Sequence, residues 1–373
     1  MTKIGIFGGS FDPVHKDHIN ICERFTRELG LDFTLIVPAA CSPFKDGSGA
    51  SGEHRFKMLQ IATRTNQKLI PDRIEIDAEG KSYTCITAEK LAKRYPDAKL
   101  YLLMGTDSLL SFHKWKNPED ILRNCTPVVA GRKGENTAMA VKNFNKRYGF
   151  SPIIVHTDGD ISSSAVREYL YLGLDASRFL PDGVMRYITE NGLYKPDKYH
   201  EFMRTHSREQ RLVHTVGVIT TALKYARRTG ADEKKTALAA LLHDSAKYEN
   251  VADYPGFSLP YDVPDSVVHQ FLGAYVAEKT LGITDEEILG AIRWHTTGKP
   301  DMTLLEKIIY TADLLEPGRR FPGVDRLRAA VERDFDDGFK LCVSELNAFL
   351  KSSGKPLCDL SMQADEYYNA RQE

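Results

Sequence analysis

The sequence predicts two domains of different class: an α/β unit built on a doubly wound parallel sheet, followed by an all-α helical unit. Three observations carry this. From residue 3 to about residue 194, short apolar runs alternate with amphipathic stretches, the rhythm of crossover units in a parallel sheet. A glycine-rich turn follows the first apolar run, where such sheets bind ligands at the carboxyl ends of their strands. Beyond Lys195-Pro196-Asp197-Lys198 the apolar residues recur at helical period and strand-like runs all but disappear. Pro196 is expected to stop the preceding helix, which sets the domains at 1–197 and 198–373. A chain of 373 residues exceeds the usual size of one domain and gives each half enough length to bury a core.

In chain order, residues 3–7 read as the first buried strand, with further strands at 33–37, 100–104, 128–130 and 153–155. Helices are expected at 53–64, 85–95 and 164–172 between them. In the second half helices are expected at 208–228, 233–243, 265–281, 285–294, 303–315 and 324–350. Turns fall at Gly230, Tyr254-Pro255-Gly256, Gly282 and Gly298.

Composition narrows the function classes. Fifty basic residues balance 51 acidic ones for a formal charge of −1, so no global field favours nucleic acid or an anionic membrane, and an anionic substrate must be held locally. The six cysteines show no C-x-x-C pair and no zinc spacing, as expected of small buried side chains in a reducing cytosol. Nothing at Met1 resembles a signal peptide. Apolar stretches such as residues 238–242 fall far short of the roughly 20 residues that span a bilayer. The expectation is a soluble, cytoplasmic protein, free of nucleic acid and membrane and compatible with a homo-oligomer.

The first candidate site is Gly8-Gly9-Ser10-Phe11-Asp12-Pro13-Val14-His15-Lys16-Asp17-His18. Glycines let the backbone approach a ligand, and the helix expected to start near His15 aims its unpaired N–H groups and positive dipole end at the same place. His15 and His18, three apart, share one face of that first turn and suit the α-phosphate and departing pyrophosphate of a nucleotide. Lys45 follows a strand end, where a cation folds over phosphates. Ser162-Ser163-Ser164-Ala165-Val166-Arg167 begins another helix with three hydroxyls and an arginine, a second anion cradle.

Five ordered blocks together resemble the nicotinate mononucleotide adenylyltransferases over about the first 195 residues. They are residues 8–18, Val37-Pro38 with Lys45, Ser82-Tyr83-Thr84, Gly105-Thr106-Asp107 with Trp115, and residues 161–167. Singly, a glycine turn, a capping histidine or a core tryptophan explains each part; five in order do not read that way. The resemblance implies that His15 and His18 are the catalytic pair, joined by Lys45, and that Gly8, Gly9, Ser10 and Phe11 line the nucleotide. It also implies that Ser163 and Arg167 hold ATP phosphates, that Asp107 contacts the nucleotide, that Thr84 and Trp115 frame the nicotinate ring, and that Mg²⁺ arrives with ATP. One position departs from the pattern: the family has H-x-G-H, and this chain has Asp17 where the glycine would stand. A carboxylate facing the polyphosphate would repel it; one facing away would cost little.

The second candidate site is a set of histidines and aspartates, one or two per expected helix: His214, His243-Asp244, His269, His295 and Asp313. A single histidine on an apolar helix face is more often a hydrogen-bonded core residue. Six such groups in order, with Lys247 and Arg319 nearby, suit a metal centre without thiolates, for iron, manganese or zinc. Adjacent His243 and Asp244 point about 100° apart on a helix and so straddle two metals; paired ions about 3.5–4 Å apart activate water and clamp a displaced phosphate.

This set, with the words Leu241-Leu242-His243-Asp244-Ser245-Ala246-Lys247, His295-Thr296-Thr297-Gly298 and residues 311–319, resembles the HD superfamily, and within it the symmetrical diadenosine tetraphosphate hydrolases. The resemblance covers about residue 208 to the C-terminus. It implies that His214, His243, Asp244 and Asp313 hold one iron and that His269 and His295 complete a second metal position or touch nucleotide phosphates. Thr296, Lys247 and Arg319 would bind phosphate oxygens, with Asp244 and Lys247 as catalytic groups. The implied whole is a bifunctional enzyme of NAD biosynthesis and dinucleoside polyphosphate hydrolysis. The alternatives are another transferase acceptor, such as phosphopantetheine, with another HD substrate, or a first domain weakened by Asp17 into a nucleotide sensor that regulates the hydrolase.

Overall fold

The computed structural model describes residues 1–40, 49–78, 82–132, 137–159, 161–354 and 357–369. Lys45 lies outside the described residues. The chain separates into two compact units, residues 1–170 with 175–195, and residues 171–174 with 196–373.

The first unit is a six-stranded, wholly parallel sheet in the order β3-β2-β1-β4-β5-β6. Its strands are β1 (Thr2–Gly9), β2 (Phe33–Pro38), β3 (Leu69–Pro71), β4 (Ala98–Gly105), β5 (Cys125–Arg132) and β6 (Ile153–Thr157). Its helices are α1 (Lys16–Glu28), α2 (Gly52–Thr63), α3 (Thr84–Arg94), α4 (Thr106–Ser111), α5 (Pro118–Asn124), α6 (Thr137–Tyr148), α7 (Ser163–Tyr171) and α8 (Val184–Glu190). Ile4 of β1 aligns with Phe33 of β2 on one side and Leu100 of β4 on the other, so β1 is central. Strand order reverses between β1 and β4, and a doubly wound sheet opens its ligand crevice at such a switch point.

Successive side chains in a strand leave opposite faces, and both faces here are buried. Leu100, Leu102 and Met104 pack with Ala88 and Leu91 of α3 and Phe144 of α6. Tyr101 and Leu103 face the other way, against Ile21 and Phe25 of α1.

The second unit is helical throughout its described residues: α9 (Lys198–His206), α10 (Glu209–Thr229), α11 (Glu233–Leu242), α12 (Asp265–Lys279), α13 (Glu286–Arg293), α14 (Leu304–Leu315), α15 (Val324–Arg333), α16 (Phe335–Ser352) and α17 (Asp359–Asn369). Helices α10, α11, α13 and α14 pack on one another and give the site its rigid frame. Asp232, Asp285 and Thr303 cap α11, α13 and α14 through their side chains, satisfying first-turn N–H groups.

Several expectations are corrected. Residues 324–350 are two helices, because Asp334 is extended (φ −147°, ψ 127°) and its carboxylate accepts the Asp337 N–H to start α16. The helix before Pro196 ends at Glu190, so the proline follows that end at a distance. Strand β3 and helices α9 and α17 stand where the periodicity marked none. The five described cysteines are buried and free, and among the described residues no helix is long and apolar enough to cross a membrane.

Candidate active sites

In the first unit β1 delivers Gly8 and Gly9 to the carboxyl edge of the sheet, and the chain then turns sharply. Phe11 takes a left-handed backbone (φ 50°), a conformation that costs a bulky residue of order 1–3 kcal/mol and persists where its surroundings fix it. The surroundings do so. Asp12, fully buried, accepts from the Ala50 N–H at 3.0 Å and the Tyr194 hydroxyl at 2.6 Å. Arg55, also fully buried, donates to the carbonyls of Ser10 (2.7 Å), Ala39 (2.7 Å) and Ala50 (3.1 Å), joining the glycine turn to the segment after β2.

His15 is the N-cap of α1, and its N–H donates to His18 Nδ1 at 3.2 Å. The two rings stack with centroids 3.6 Å apart, and Phe11 meets His18 edge-on at 5.0 Å. The second cradle is fastened to this turn. The Ser163 hydroxyl donates to the Pro13 carbonyl at 2.9 Å, and the buried Arg167 guanidinium donates to the Asp12 carbonyl at 2.6 Å. Arg167 thus supports the loop from behind, a task the expectation of a phosphate contact did not include. Asp17 turns its carboxylate to the Ile161 N–H at 2.7 Å, in the segment that leads into α7.

Asp107 is exposed in the first turn of α4, directly beyond β4 at the same edge of the sheet as Gly9. Thr84 opens α3, and Trp115 packs on Phe112 at 5.1 Å. The Lys116 ammonium lies 4.3 Å from the Tyr83 ring, so the segments carrying Thr84 and Trp115 are neighbours.

In the second unit the six expected groups converge. His214 (α10), His243 (the residue closing α11) and Asp313 (α14) form one cluster; Asp244, His269 (α12) and His295 (following α13) form another. Within each cluster the ligand atoms lie within 4.8 Å of one another. His243 Nδ1 faces the Ala240 carbonyl at 2.7 Å and His295 Nδ1 faces that of Ile292 at 2.8 Å, which commits those nitrogens as donors and leaves each Nε2 lone pair pointing inward. Nε2 atoms meet at 3.3 Å between His214 and His243 and again between His269 and His295.

Asp244 joins the clusters. Its Oδ1 is buried, makes no hydrogen bond, and lies 3.2 Å from His269 Nε2 and 3.6 Å from His295 Nε2. Its Oδ2 lies 3.4 Å from His243 Nε2 and 2.7 Å from the Arg211 guanidinium. The resemblance grouped Asp244 with His214, His243 and Asp313; the geometry sets one oxygen toward each cluster. Facing lone pairs and an unsatisfied carboxylate oxygen fit a divalent cation, and the donor set contains no thiolate.

Electrostatics prepare the ligands. Burial opposes charge on Asp244 and Asp313, yet the adjacent imidazoles, with Arg319 beside Asp313, hold both well below the usual carboxylate range. Burial lowers His243 and pushes His269 down to about 4, so both stay neutral and ready to ligate. His214, between Asp313 and Glu316, is raised despite its burial. The Lys247 ammonium lies 3.2 Å from His269 Nε2, the Thr296 hydroxyl 3.3 Å from the same atom, and the Arg319 Nε donates to the Asp313 carbonyl at 2.8 Å.

Four supporting residues escaped the sequence reading: Arg55, Arg211, Gln270 and Glu316. Arg211 stands one helical turn before His214, a spacing that could have revealed it. Gln270 accepts the N–H groups of Thr296 and Thr297, both at 3.1 Å, and so fixes the turn after His295. Glu316 lies 3.1 Å from His214 Nδ1.

Comparison with known proteins agrees in two pieces and as a whole. The cytidylyltransferase-like family matches residues 6–169 and the HD domain family residues 211–318. A probable nicotinate-nucleotide adenylyltransferase/Ap4A hydrolase of Mycoplasma pneumoniae is 31% identical over 323 residues, 84% of this chain and 88% of the relative. A symmetrical bis(5'-nucleosyl)-tetraphosphatase of Bacillus subtilis is 40% identical over 156 residues, 40% of this chain and 84% of its own length. A probable nicotinate-nucleotide adenylyltransferase of Neisseria meningitidis serogroup B is 33% identical over 201 residues, 52% of this chain and all of its own length.

Proposed function

The chain belongs to the nicotinate-nucleotide adenylyltransferase/Ap4A hydrolase family, and from that premise we propose a division of labour in which residues 1–197 transfer adenylyl groups and residues 198–373 hydrolyse dinucleoside polyphosphates. It is a bifunctional enzyme: a nucleotidyltransferase of NAD biosynthesis and a symmetrical tetraphosphatase. Both substrates are small nucleotides, no nucleic acid or membrane enters, and the cytoplasm is the proposed compartment.

In the first reaction a phosphate oxygen of nicotinate mononucleotide bonds to the α-phosphorus of ATP, the α–β bridge breaks, and pyrophosphate leaves. Such a transfer asks the protein for alignment and charge neutralisation. His15 and His18 donate to the phosphates; Gly8, Gly9, Ser10 and Phe11 let the chain close on them; Ser163 and Arg167 hold the second cradle against the first. Asp107 orients the nucleotide, Thr84 and Trp115 hold the nicotinate ring, Lys45 supplies a cation to the polyphosphate, and Mg²⁺ accompanies ATP.

In the second reaction water adds to a central phosphorus of diadenosine tetraphosphate, and the middle phosphoanhydride breaks to give two ADP. A bound divalent metal, proposed to be iron with manganese or zinc as substitutes, supplies Lewis acidity and a hydroxide near neutral pH. His214, His243 and Asp313 would hold one ion, and Asp244, His269 and His295 a second. Arg211, Lys247, Thr296 and Arg319 bind and orient phosphate oxygens beside them.

The observation that carries the hydrolase is the convergence of two His/Asp clusters, with Asp244 of the second also reaching His243 of the first. Elemental analysis of protein purified without oxygen, followed by product assays on ATP with nicotinate mononucleotide and on diadenosine tetraphosphate, tests both halves. Nicotinate adenine dinucleotide with pyrophosphate, and ADP alone, are the expected products; ATP with AMP from the second assay would contradict symmetrical cleavage.

A further inference from the structure

Residue 194 lies beyond all five ordered blocks and beyond residue 169, where the match to the cytidylyltransferase-like family ends, so neither assigns it a part in adenylyl transfer. Its side chain nevertheless reaches the first site. The route is built locally: α8 ends at Glu190, and the N–H groups of Gly192 and Leu193 return to the carbonyls of Thr189 (3.2 Å) and Ile188 (3.1 Å), a paired closure that turns the chain off the helix axis. Gly192 is left-handed there (φ 56°), and Tyr194, two residues on, is left-handed as well (φ 55°). Glycine takes this conformation without a Cβ clash; a tyrosine takes it at a cost and keeps it where something holds it.

What holds it is Asp12. The Tyr194 hydroxyl, on a buried residue, donates to Asp12 Oδ1 at 2.6 Å. Asp12 in turn follows Phe11, the other bulky left-handed residue of this site (φ 50°), so two unfavourable backbones meet at one buried carboxylate. From Phe11 the contacts continue to the proposed catalytic pair. Phe11 meets the His18 ring edge-on at 5.0 Å, and His18 stacks on His15 with centroids 3.6 Å apart. Stability alone does not call for this arrangement, since an apolar pair of the same shape can replace a buried hydrogen-bonded pair at almost no net cost. Backbone strain fixed from two sides of one loop is instead a means of holding reacting groups in place before the substrate arrives.

We infer that Tyr194 is a positioning residue of adenylyl transfer, acting through Asp12 to hold Phe11 and, beyond it, the imidazoles of His15 and His18 in the orientation that serves the phosphates. The inference rests on the reading of the first unit as an adenylyltransferase and adds to it a residue from the end of that unit.

The test uses the full-length chain with three variants: Tyr194→Phe, which removes the hydroxyl and keeps the ring, the isosteric Asp12→Asn, and the two combined. Tyr194→Phe is expected to lower kcat for pyrophosphate release about tenfold, the weight of one hydrogen bond to a charged acceptor. KM for nicotinate mononucleotide should stay within about twofold, because Thr84 and Trp115 lie on other segments. Asp12→Asn should show the same split, and the double variant should lose no more than about threefold beyond the worse single one, as befits two residues acting through one bond. In protein carrying isotope-labelled histidine, Tyr194→Phe should shift or broaden the ring signals of His15 and His18 and leave those of the exposed His113 in place.

An unchanged kcat with only a lower urea midpoint makes Tyr194 a packing residue and overturns the proposal. So does full multiplication of the two single effects, which breaks the path through Asp12, and so do unmoved His15 and His18 signals. Should Tyr194→Phe not fold, Asp12→Asn decides by the same split and the same signals. A parent chain that releases no pyrophosphate, while its His15 and His18 signals respond to Tyr194→Phe, removes the transferase reading and leaves the tether standing.

Discussion

The Asp17 carboxylate accepts the Ile161 backbone N–H at 2.7 Å, linking the first turn of α1 to the segment that leads into α7. The partner surface is shaped for it: a Cβ on Gly159 would stand 2.3 Å from Asp17 Oδ2, so only glycine leaves the carboxylate its seat. The residue that departs from the H-x-G-H pattern is therefore engaged with the protein's own backbone.

Asp17→Gly is expected to lower kcat/KM for nicotinate adenine dinucleotide formation roughly tenfold, because a hydrogen bond to a charged acceptor is worth about 1.5–3 kcal/mol and Ser163 follows the segment it secures. Asp17→Asn keeps an acceptor and should stay within about threefold. Steady-state assays of pyrophosphate release decide this; a faster Asp17→Gly enzyme would mean that charge repulsion governs the position.

His214 Nδ1 and Glu316 form the carboxylate–histidine arrangement that orients a metal-ligating imidazole, and loss of such a partner weakens metal binding about 10–100-fold. Glu316→Ala should show that loss in a chelator-competition titration while the helical circular dichroism is retained. Unchanged metal affinity would reduce Glu316 to a packing residue.

Asp244→Asn and His243→Ala should each abolish diadenosine tetraphosphate cleavage. They differ in metal content: Asp244→Asn weakens both clusters, whereas Asp313→Asn weakens only the one holding His214. Metal per chain, measured by plasma mass spectrometry, should fall furthest for Asp244→Asn; equal stoichiometry in the three variants would deny Asp244 its shared position.

Burial pushes His269 from its ordinary value near 6.5 down to about 4. The unfolded chain binds that proton first, so the neutral native imidazole contributes full stability above about pH 6.5 and loses it as pH falls toward 4. The effect amounts to roughly 3 kcal/mol. His214, raised by its carboxylates, acts in the opposite sense, so the clean measurement is the stability of metal-free protein minus that of His269→Gln. This difference should shrink in urea titrations between pH 7 and 4.5; a constant difference would contradict the assignment.

Much of this was legible in the chain because it rests on local period and local words. Alternating apolar runs separate the faces at Tyr101 and Leu102, and the His243-Asp244 pair announces its neighbours. What stayed hidden depends on partners distant in sequence. Arg55 looks like any helix-surface arginine until the carbonyls of Ser10 and Ala39 surround it. The break at Asp334 hides between two good helical patterns because one extended residue leaves both periods intact. Glu316 lay within a recognised stretch, yet its pairing with His214 spans 102 positions.

Because one carboxylate faces both clusters, the two ions proposed for them could not ignore each other. The first to arrive fixes Asp244 and screens its charge, and by reciprocity each occupant alters the other's affinity by the same factor. Loading should then spread over a wider range of metal concentration than a simple hyperbola, because the second cation meets a carboxylate that the first has already neutralised.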